Sequence, residues 1–285
     1  MYVYLIGAGP GDPGLLTLKG LRALERADAV VYDFLSSEDL LAHARPDAEL
    51  IYVGKKAGNH ALPQHEINKL LIRLAREGKV VARLKGGDPY IFGRGGEEGE
   101  ELFNANIPFE EIPGISSTIA GPAYAGIPLT HRTLASSVTL ITGHEDPTKP
   151  GSVHNWDALA RSASTLVFVM GMKNLPEISR NLIAAGMSAE TPSALVHWGT
   201  TDHQRSLVST LGELPQEAVR QGFSNPSVIV VGQVVRMREK LDWFERRPLF
   251  GRSIVITRAR EQASESAALF AELGAHVIQF PTIAI

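Results

Sequence analysis

A chain of 285 residues, 44% hydrophobic and 21% charged, has the balance of a globular protein and the length for two domains with separate cores. The absence of cysteine excludes disulfides and thiolate metal sites, no metal is expected, and a net charge of −3 argues against a broad nucleic-acid footprint. No apolar run is long enough to cross a bilayer and the N-terminus lacks the basic region of a signal peptide, so no membrane partner and a cytoplasmic location are expected.

Residues 3–6 read as a buried strand entering Gly7-Ala8-Gly9-Pro10-Gly11-Asp12-Pro13-Gly14, after which Thr17 caps a helix over 18–26. Strand, glycine turn and helix open a nucleotide-binding α/β unit. Gly9 to Gly14 has the spacing G-x-G-x-x-G, and Asp33 ends the next strand, over 29–32, where a ribose-binding acid would sit. That gives a rival reading, a dinucleotide-dependent oxidoreductase. Against it, two prolines remove N–H donors that a pyrophosphate would use, and Asp12 puts negative charge where phosphate would lie. A proline-bearing turn better suits an uncharged or cationic ligand. Asp33 is either a solvated strand-end residue or a carboxylate at the rim of the sheet, available as a base.

A third strand, over 49–53, delivers Gly54-Lys55-Lys56-Ala57-Gly58-Asn59-His60, whose paired lysines between glycines read as anion contacts. A helix from Pro63 has an apolar face of Ile67, Leu70, Leu71 and Leu74 and closes at Gly78. The fourth strand, over 80–82, leads into residues 83–97. These fifteen residues hold five glycines, a proline, an aspartate and three cations, more than a simple turn requires. Gly86-Gly87-Asp88-Pro89 has the character of a floor for a small molecule, because glycine lets backbone N–H groups approach a ligand. Lys85 and Arg94 flank it as charge partners for an anion. A helix over 97–104 and a strand over 109–112 follow.

Pro113-Gly114-Ile115 reads as a hinge, and Ser116 and Ser117 start a small-residue helix to 125, as caps or as ligand contacts. The turn 126–132 ends in His131 and Arg132. Strands over 137–142, 165–172, 193–197, 204–209 and 227–231, with a helix to about 185, give a second α/β layer. Met170 at a strand end is either core or pocket lining. The expected organisation is an N-terminal α/β domain over 1–114, a C-terminal α/β domain over 115–244, a linker over 245–250 and a short β-α-β piece over 251–285. The site is expected in the cleft between the two halves.

Taken in order, Gly7-Ala8-Gly9-Pro10-Gly11-Asp12-Pro13, Val53-Gly54-Lys55, Arg83-Leu84-Lys85-Gly86-Gly87-Asp88-Pro89, Pro113-Gly114-Ile115-Ser116-Ser117, Gly126-Ile127-Pro128-Leu129-Thr130-His131-Arg132 and Thr142-Gly143-His144 resemble the motifs of the tetrapyrrole methylases over residues 2–243. The resemblance implies two α/β domains and S-adenosylmethionine as methyl donor, leaving as S-adenosylhomocysteine. It implies C-methylation of uroporphyrinogen III at C2 and C7, giving precorrin-2 through precorrin-1 for sirohaem and cobalamin. It places the donor against Pro10, Gly86, Gly87, Asp88, Ile91, Ser116, Ser117, Met170 and Gly199. Asp33 stands at the family's proton acceptor and Lys55 at its proton donor. Lys56, Lys85, Arg94, His131 and Arg132 are left to meet the substrate's carboxylates. Val169 stands where relatives often have tyrosine. A homodimer is implied. Residues from about 251 resemble the start of a uroporphyrinogen-III synthase domain, without the whole domains that synthase activity requires.

Overall fold

Continuous apolar runs such as Val80-Val81-Ala82 are the pattern of strands covered on both faces, and the first half of the chain folds into such a sheet. The computed structural model describes residues 1–33, 38–54, 62–144, 154–162, 164–258 and 260–282, with side chains described for all of these except 38 and 260–264. Two compact units follow one another, Met1–Ser117 and Thr118–Ile285.

In the first unit the chain runs β1 (Tyr2–Gly7), α1 (Leu18–Leu24), β2 (Ala29–Tyr32), β3 (Glu49–Tyr52), α2 (Gln64–Arg76), β4 (Val80–Lys85), α3 (Gly95–Asn104) and β5 (Phe109–Ile112). The strands form a parallel sheet in the order β3-β2-β4-β1-β5. Alternation along each strand divides two cores. Val3, Leu5, Val31 and Val81 face Leu71 and Leu74 of α2 and Leu102 of α3. Ile6, Val30, Ala82 and Leu84 face Ala23 and Leu24 of α1. Thr17 caps α1 as expected, accepting from the Gly20 N–H at 3.0 Å. Strand β4 runs three residues beyond the span expected for it, because β1 and β2 pair with it from both sides as far as Gly7↔Lys85 and Tyr32↔Leu84. Arg83 and Lys85 are therefore strand residues, and the glycine loop begins at Gly86.

The second unit continues with α4 (Ser117–Tyr124), whose first residue closes the first unit, β6 (Val138–Thr142), α5 (Trp156–Ser162), β7 (Thr165–Val169), α6 (Leu175–Ala184), β8 (Pro192–His197), β9 (Arg205–Thr210), α7 (Leu214–Arg220), β10 (Ser227–Val231) and α8 (Arg238–Leu241). Its sheet is mixed, in the order β6-β7-β10-β8-β9, with β6 and β7 parallel and the other neighbours antiparallel. One face packs Phe168, Leu195 and Ile229 on Ile178 and Leu182 of α6. The other packs Val167, Val196 and Val230 on Ala125, Ile127, Val234 and Val235. Helices α5 and α7 were not expected from the sequence, although Pro215 at the start of α7 is a start signal.

The C-terminal piece forms β11 (Ser253–Ile256), α9 (Arg260–Glu272) and β12 (His276–Gln279), with the two strands parallel. It belongs to the second unit. The Leu249 N–H donates to the Leu273 carbonyl at 2.9 Å, Phe250 packs edge-on against Phe244, and His276 pairs with Asp202.

Candidate active site

Ligand sites in open parallel sheets lie outside the carboxyl ends of the strands. In the first unit that edge carries the loops after β1, β4 and β5, joined by bare backbone. Gly9 and Gly87 form an isolated bridge, the Gly87 N–H donating to the Gly9 carbonyl at 2.7 Å and the Gly9 N–H to the Gly87 carbonyl at 3.2 Å. A Cβ at Gly7 would stand 2.8 Å from the Gly87 carbonyl oxygen, and a Cβ at Gly114 2.6 Å from the Gly7 Cα. No side chain fits at these two positions, so the three loops meet as one layer of peptide. Gly87 differs from them. Its φ of +72° favours glycine, but a Cβ there would meet nothing closer than 3.9 Å within its surroundings. The layer is packed on one side and open at Gly87.

Asp88 holds this layer together. Its Oδ1 accepts from the N–H groups of Tyr90 and Ile91, each at 2.9 Å, and its Oδ2 accepts from the Gly114 N–H at 3.0 Å. Both oxygens are engaged with backbone, so Asp88 acts first as a clasp between the β4 and β5 loops. Asp12 serves its own turn in the same way, accepting from the Gly14 N–H at 2.7 Å. Pro10 is half-buried beside the bridge, Ile91 is exposed, Ser116 is buried and Ser117 is the first residue of α4.

Beneath the sheet edge lies a buried ionic cluster. Arg83 and Lys85, two apart on β4, project to the face covered by α2 and α3. Glu98 of α3 is fully buried there, and its Oε1 accepts from Arg83 Nε at 3.2 Å, Lys85 Nζ at 2.9 Å and Gln64 Nε2 at 3.0 Å. Arg83 also donates from Nη1 to the Leu84 carbonyl at 3.2 Å and from Nη2 to Asp33 Oδ2 at 3.0 Å. Asp33, at the carboxyl end of β2, is thus held from below by a guanidinium that is itself fixed by Glu98. Burial, with the positive charge of Arg83 beside it, pushes the Lys85 ammonium below its usual pKa, and Glu98 opposes that shift.

The expected cations divide by their surroundings. Lys85, taken in the sequence as an anion contact, is buried and spent on Glu98. Desolvating it is tolerable only because that carboxylate lies within hydrogen-bond reach. Arg94 is exposed and pairs bidentately with Glu97 at 2.8 and 2.7 Å. Lys55, Lys56 and His60 lie outside the described residues. In the second unit, Arg132 is exposed, and the His131 ring takes the Thr133 N–H at 3.3 Å while its backbone pairs with Ala135.

The second unit presents its own edge. The pairings Val169↔Val228 and His197↔Ser227 put the ends of β7 and β8 on either side of the start of β10. Met170, half-exposed and at φ 55°, follows β7, and Trp198, Gly199 and Thr200 follow β8. A Cβ at Gly199 would stand 2.9 Å from the Gly121 Cα of α4, so this glycine too is a place of backbone contact.

Sequence reasoning missed Glu98, the organising role of Arg83, and the pair Gln204 and Glu245. A signal for Glu98 existed. The buried positions of α3 are Gly95, Glu98, Gly99 and Leu102, the i, i+3, i+4, i+7 spacing of a core stripe, and a carboxylate on that stripe needs a buried cation.

Comparison with known proteins agrees with this geometry. The family model for Tetrapyrrole (Corrin/Porphyrin) Methylases matches residues 2–215. A uroporphyrinogen-III C-methyltransferase of Bacillus subtilis is 49% identical over 243 residues, 85% of this chain and 94% of the relative. A siroheme synthase of Methylobacillus flagellatus is 54% identical over 247 residues, 86% of this chain, and the chain spans 52% of that protein's length. The crystal structure of a uroporphyrin-III C-methyltransferase from Thermus thermophilus, complexed with S-adenosylhomocysteine, superposes with a TM-score of 0.71 at 40% identity, covering 83% of this chain and 99% of the other. A family match over most of both sheets, and a relative similar along nearly its whole length, leave one conclusion: this chain belongs to the tetrapyrrole (corrin/porphyrin) methylases.

Proposed function

We propose that the chain transfers methyl groups from S-adenosylmethionine to C2 and C7 of uroporphyrinogen III, giving precorrin-2 through precorrin-1. The observation that carries this reading is the layer of bare peptide at Gly7, Gly87 and Gly114, clasped by Asp88 and open at Gly87. Such a surface suits a cosubstrate held by backbone groups, and the two prolines of the β1 loop leave it poor in the N–H donors that a pyrophosphate needs. Bound S-adenosylmethionine supplies a sulfonium methyl that is already activated, so the work left to the protein is positioning, a term that supplies roughly 7–11 kcal/mol when alignment is good.

Pro10, Gly86, Gly87, Asp88, Ile91, Ser116, Ser117, Met170 and Gly199 are the proposed donor contacts. Asp33 takes the proton that the methylated pyrrole must lose, and Lys55 is the proposed proton donor. Lys56, Arg94, His131 and Arg132 are the proposed contacts for the macrocycle's carboxylates. A homodimer, a cytoplasmic location, and a product shared by the sirohaem and cobalamin routes belong to the same proposal. Residues from about 251 are read as resembling the start of a synthase domain.

Anaerobic incubation with labelled S-adenosylmethionine and uroporphyrinogen III, followed by mass analysis, tests the reaction. A macrocycle carrying two labelled methyl groups is expected. Label absent from it, or entering only a macrocycle methylated beforehand, contradicts the assignment. Gly87→Leu gives a second expectation. A Cβ fits, but the left-handed backbone strains and the longer side chain fills the open face. Affinity for S-adenosylhomocysteine should fall by at least about tenfold, the scale of one lost close contact with strain. Unchanged affinity would remove Gly87 from the donor site.

A further inference from the structure

The loop after β8 holds two non-glycine residues in the left-handed region, Trp198 at φ 47° and Thr200 at φ 75°. For a β-branched residue that conformation is an outlier, and it persists only where surrounding bonds over-determine it. Those bonds form a chain through buried and half-buried side chains. The Thr200 N–H donates to Gln204 Oε1 at 2.8 Å, and Gln204, 2% exposed, donates from Nε2 to Glu245 Oε1 at 2.8 Å. Glu245 Oε1 also accepts from Ser206 Oγ at 2.5 Å, and its Oε2 accepts from Arg238 Nη2 at 2.7 Å. Arg238 is anchored by donating from Nη1 to the Ala125 carbonyl at 2.6 Å.

Between Thr200 and Glu245 the direction of donation is fixed. A carboxylate only accepts, so Gln204 must turn its amide nitrogen to Glu245 and its oxygen to the Thr200 N–H. Without the carboxylate the buried amide is free to flip, setting NH₂ against N–H and leaving a buried donor unsatisfied. The strained peptide on either side of Gly199 would then lose its template.

We propose that Gln204 and Glu245 are positioning residues for the methyl donor, acting through the backbone of Gly199 and Thr200. The inference rests on the proposed assignment of Gly199 to the donor site. It gives the stretch 245–250, expected from the sequence to be only a linker, a part in the methylase. Glu245 lies beyond the residues that the family model matches.

Calorimetric titration of S-adenosylhomocysteine into the 285-residue chain tests it. Glu245→Ala should raise the dissociation constant roughly 10-fold or more, the scale of a hydrogen bond to a charged group. The KM for uroporphyrinogen III should stay at the wild-type value. Glu245→Gln, which can still present an acceptor to Gln204, should recover most of the affinity. Gln204→Ala combined with Glu245→Ala should bind no worse than Gln204→Ala alone, because the two act in series. Wild-type affinity in a folded Glu245→Ala overturns the proposal. If Glu245→Ala does not fold, Gln204→Met, which keeps the volume and removes the acceptor, decides in its place, and unchanged affinity there overturns the proposal equally. Failure of the wild-type chain to bind S-adenosylhomocysteine would overturn the donor-site reading itself, and this inference with it.

Discussion

Alanine in place of Glu98 is expected to lower stability by about 3–5 kcal/mol, the usual cost of removing one partner from a buried ionic cluster. The melting midpoint should fall by roughly 10 °C. The loss comes from what remains. Arg83 and Lys85 are buried on the same face of β4, and without Glu98 they face each other with the half-exposed Asp33 as the cluster's remaining carboxylate. A desolvated ammonium beside a desolvated guanidinium is the arrangement that low-dielectric surroundings punish most. The neighbouring residue supplies the control. Glu97 pairs with Arg94 in solvent, both side chains being more than half exposed, and Glu97→Ala should cost no more than about 1 kcal/mol. Thermal and urea denaturation of the two variants side by side checks the claim. A Glu98→Ala transition coincident with that of Glu97→Ala would show that the cluster contributes nothing to stability. Replacing Arg83, Lys85 and Glu98 together by apolar residues of similar volume should cost far less than Glu98→Ala alone, because no uncompensated charge is left behind.

Loss of the Asp33 carboxylate should act on turnover. Asp33→Ala is expected to reduce the rate of methyl transfer about 10²–10⁴-fold, the range ascribed to a positioned acid or base. Affinity for S-adenosylhomocysteine should stay close to wild type, since the proposed donor floor, Gly86 to Asp88, is held by its own backbone bonds and by Asp88. The structure supplies a reason for Asp33 to be effective: Arg83 donates to its Oδ2 from below, fixing the orientation of a side chain at the open end of β2. Single-turnover rates and donor affinity measured on one preparation separate the two effects. Normal turnover at saturating donor, with weakened donor binding, would move Asp33 out of the proton-transfer role.

The strands and their order of appearance were legible because strands buried on both faces write continuous apolar runs, as at 80–82 in the parallel sheet and 227–231 in the mixed one. The glycine loops were legible for a different reason: Gly86 and Gly87 follow a strand and precede an Asp-Pro pair, a cost in backbone entropy that a plain turn would not carry. What each loop residue touches was hidden. Asp88 reads as part of a ligand floor in the sequence and is also a clasp in the fold, a role hidden because its partner Gly114 lies 26 residues away. Lys85 reads as a loop cation, but parallel pairing with Gly7 keeps it in β4 and the period of two turns it toward Glu98. The link from Glu245 to Gln204 crosses 41 residues and leaves no periodic trace. Local pattern reveals elements and loops, whereas pairings between distant polar side chains appear only when the sheets are assembled.

The bare peptide at the carboxyl edge of the first sheet is expected to serve a sulfonium cosubstrate and not a pyrophosphate. Titrating the wild-type chain separately with S-adenosylhomocysteine and with NAD measures this directly. Saturable, one-to-one binding of S-adenosylhomocysteine and no heat of binding from NAD are expected. Saturable NAD binding with none of S-adenosylhomocysteine would contradict it.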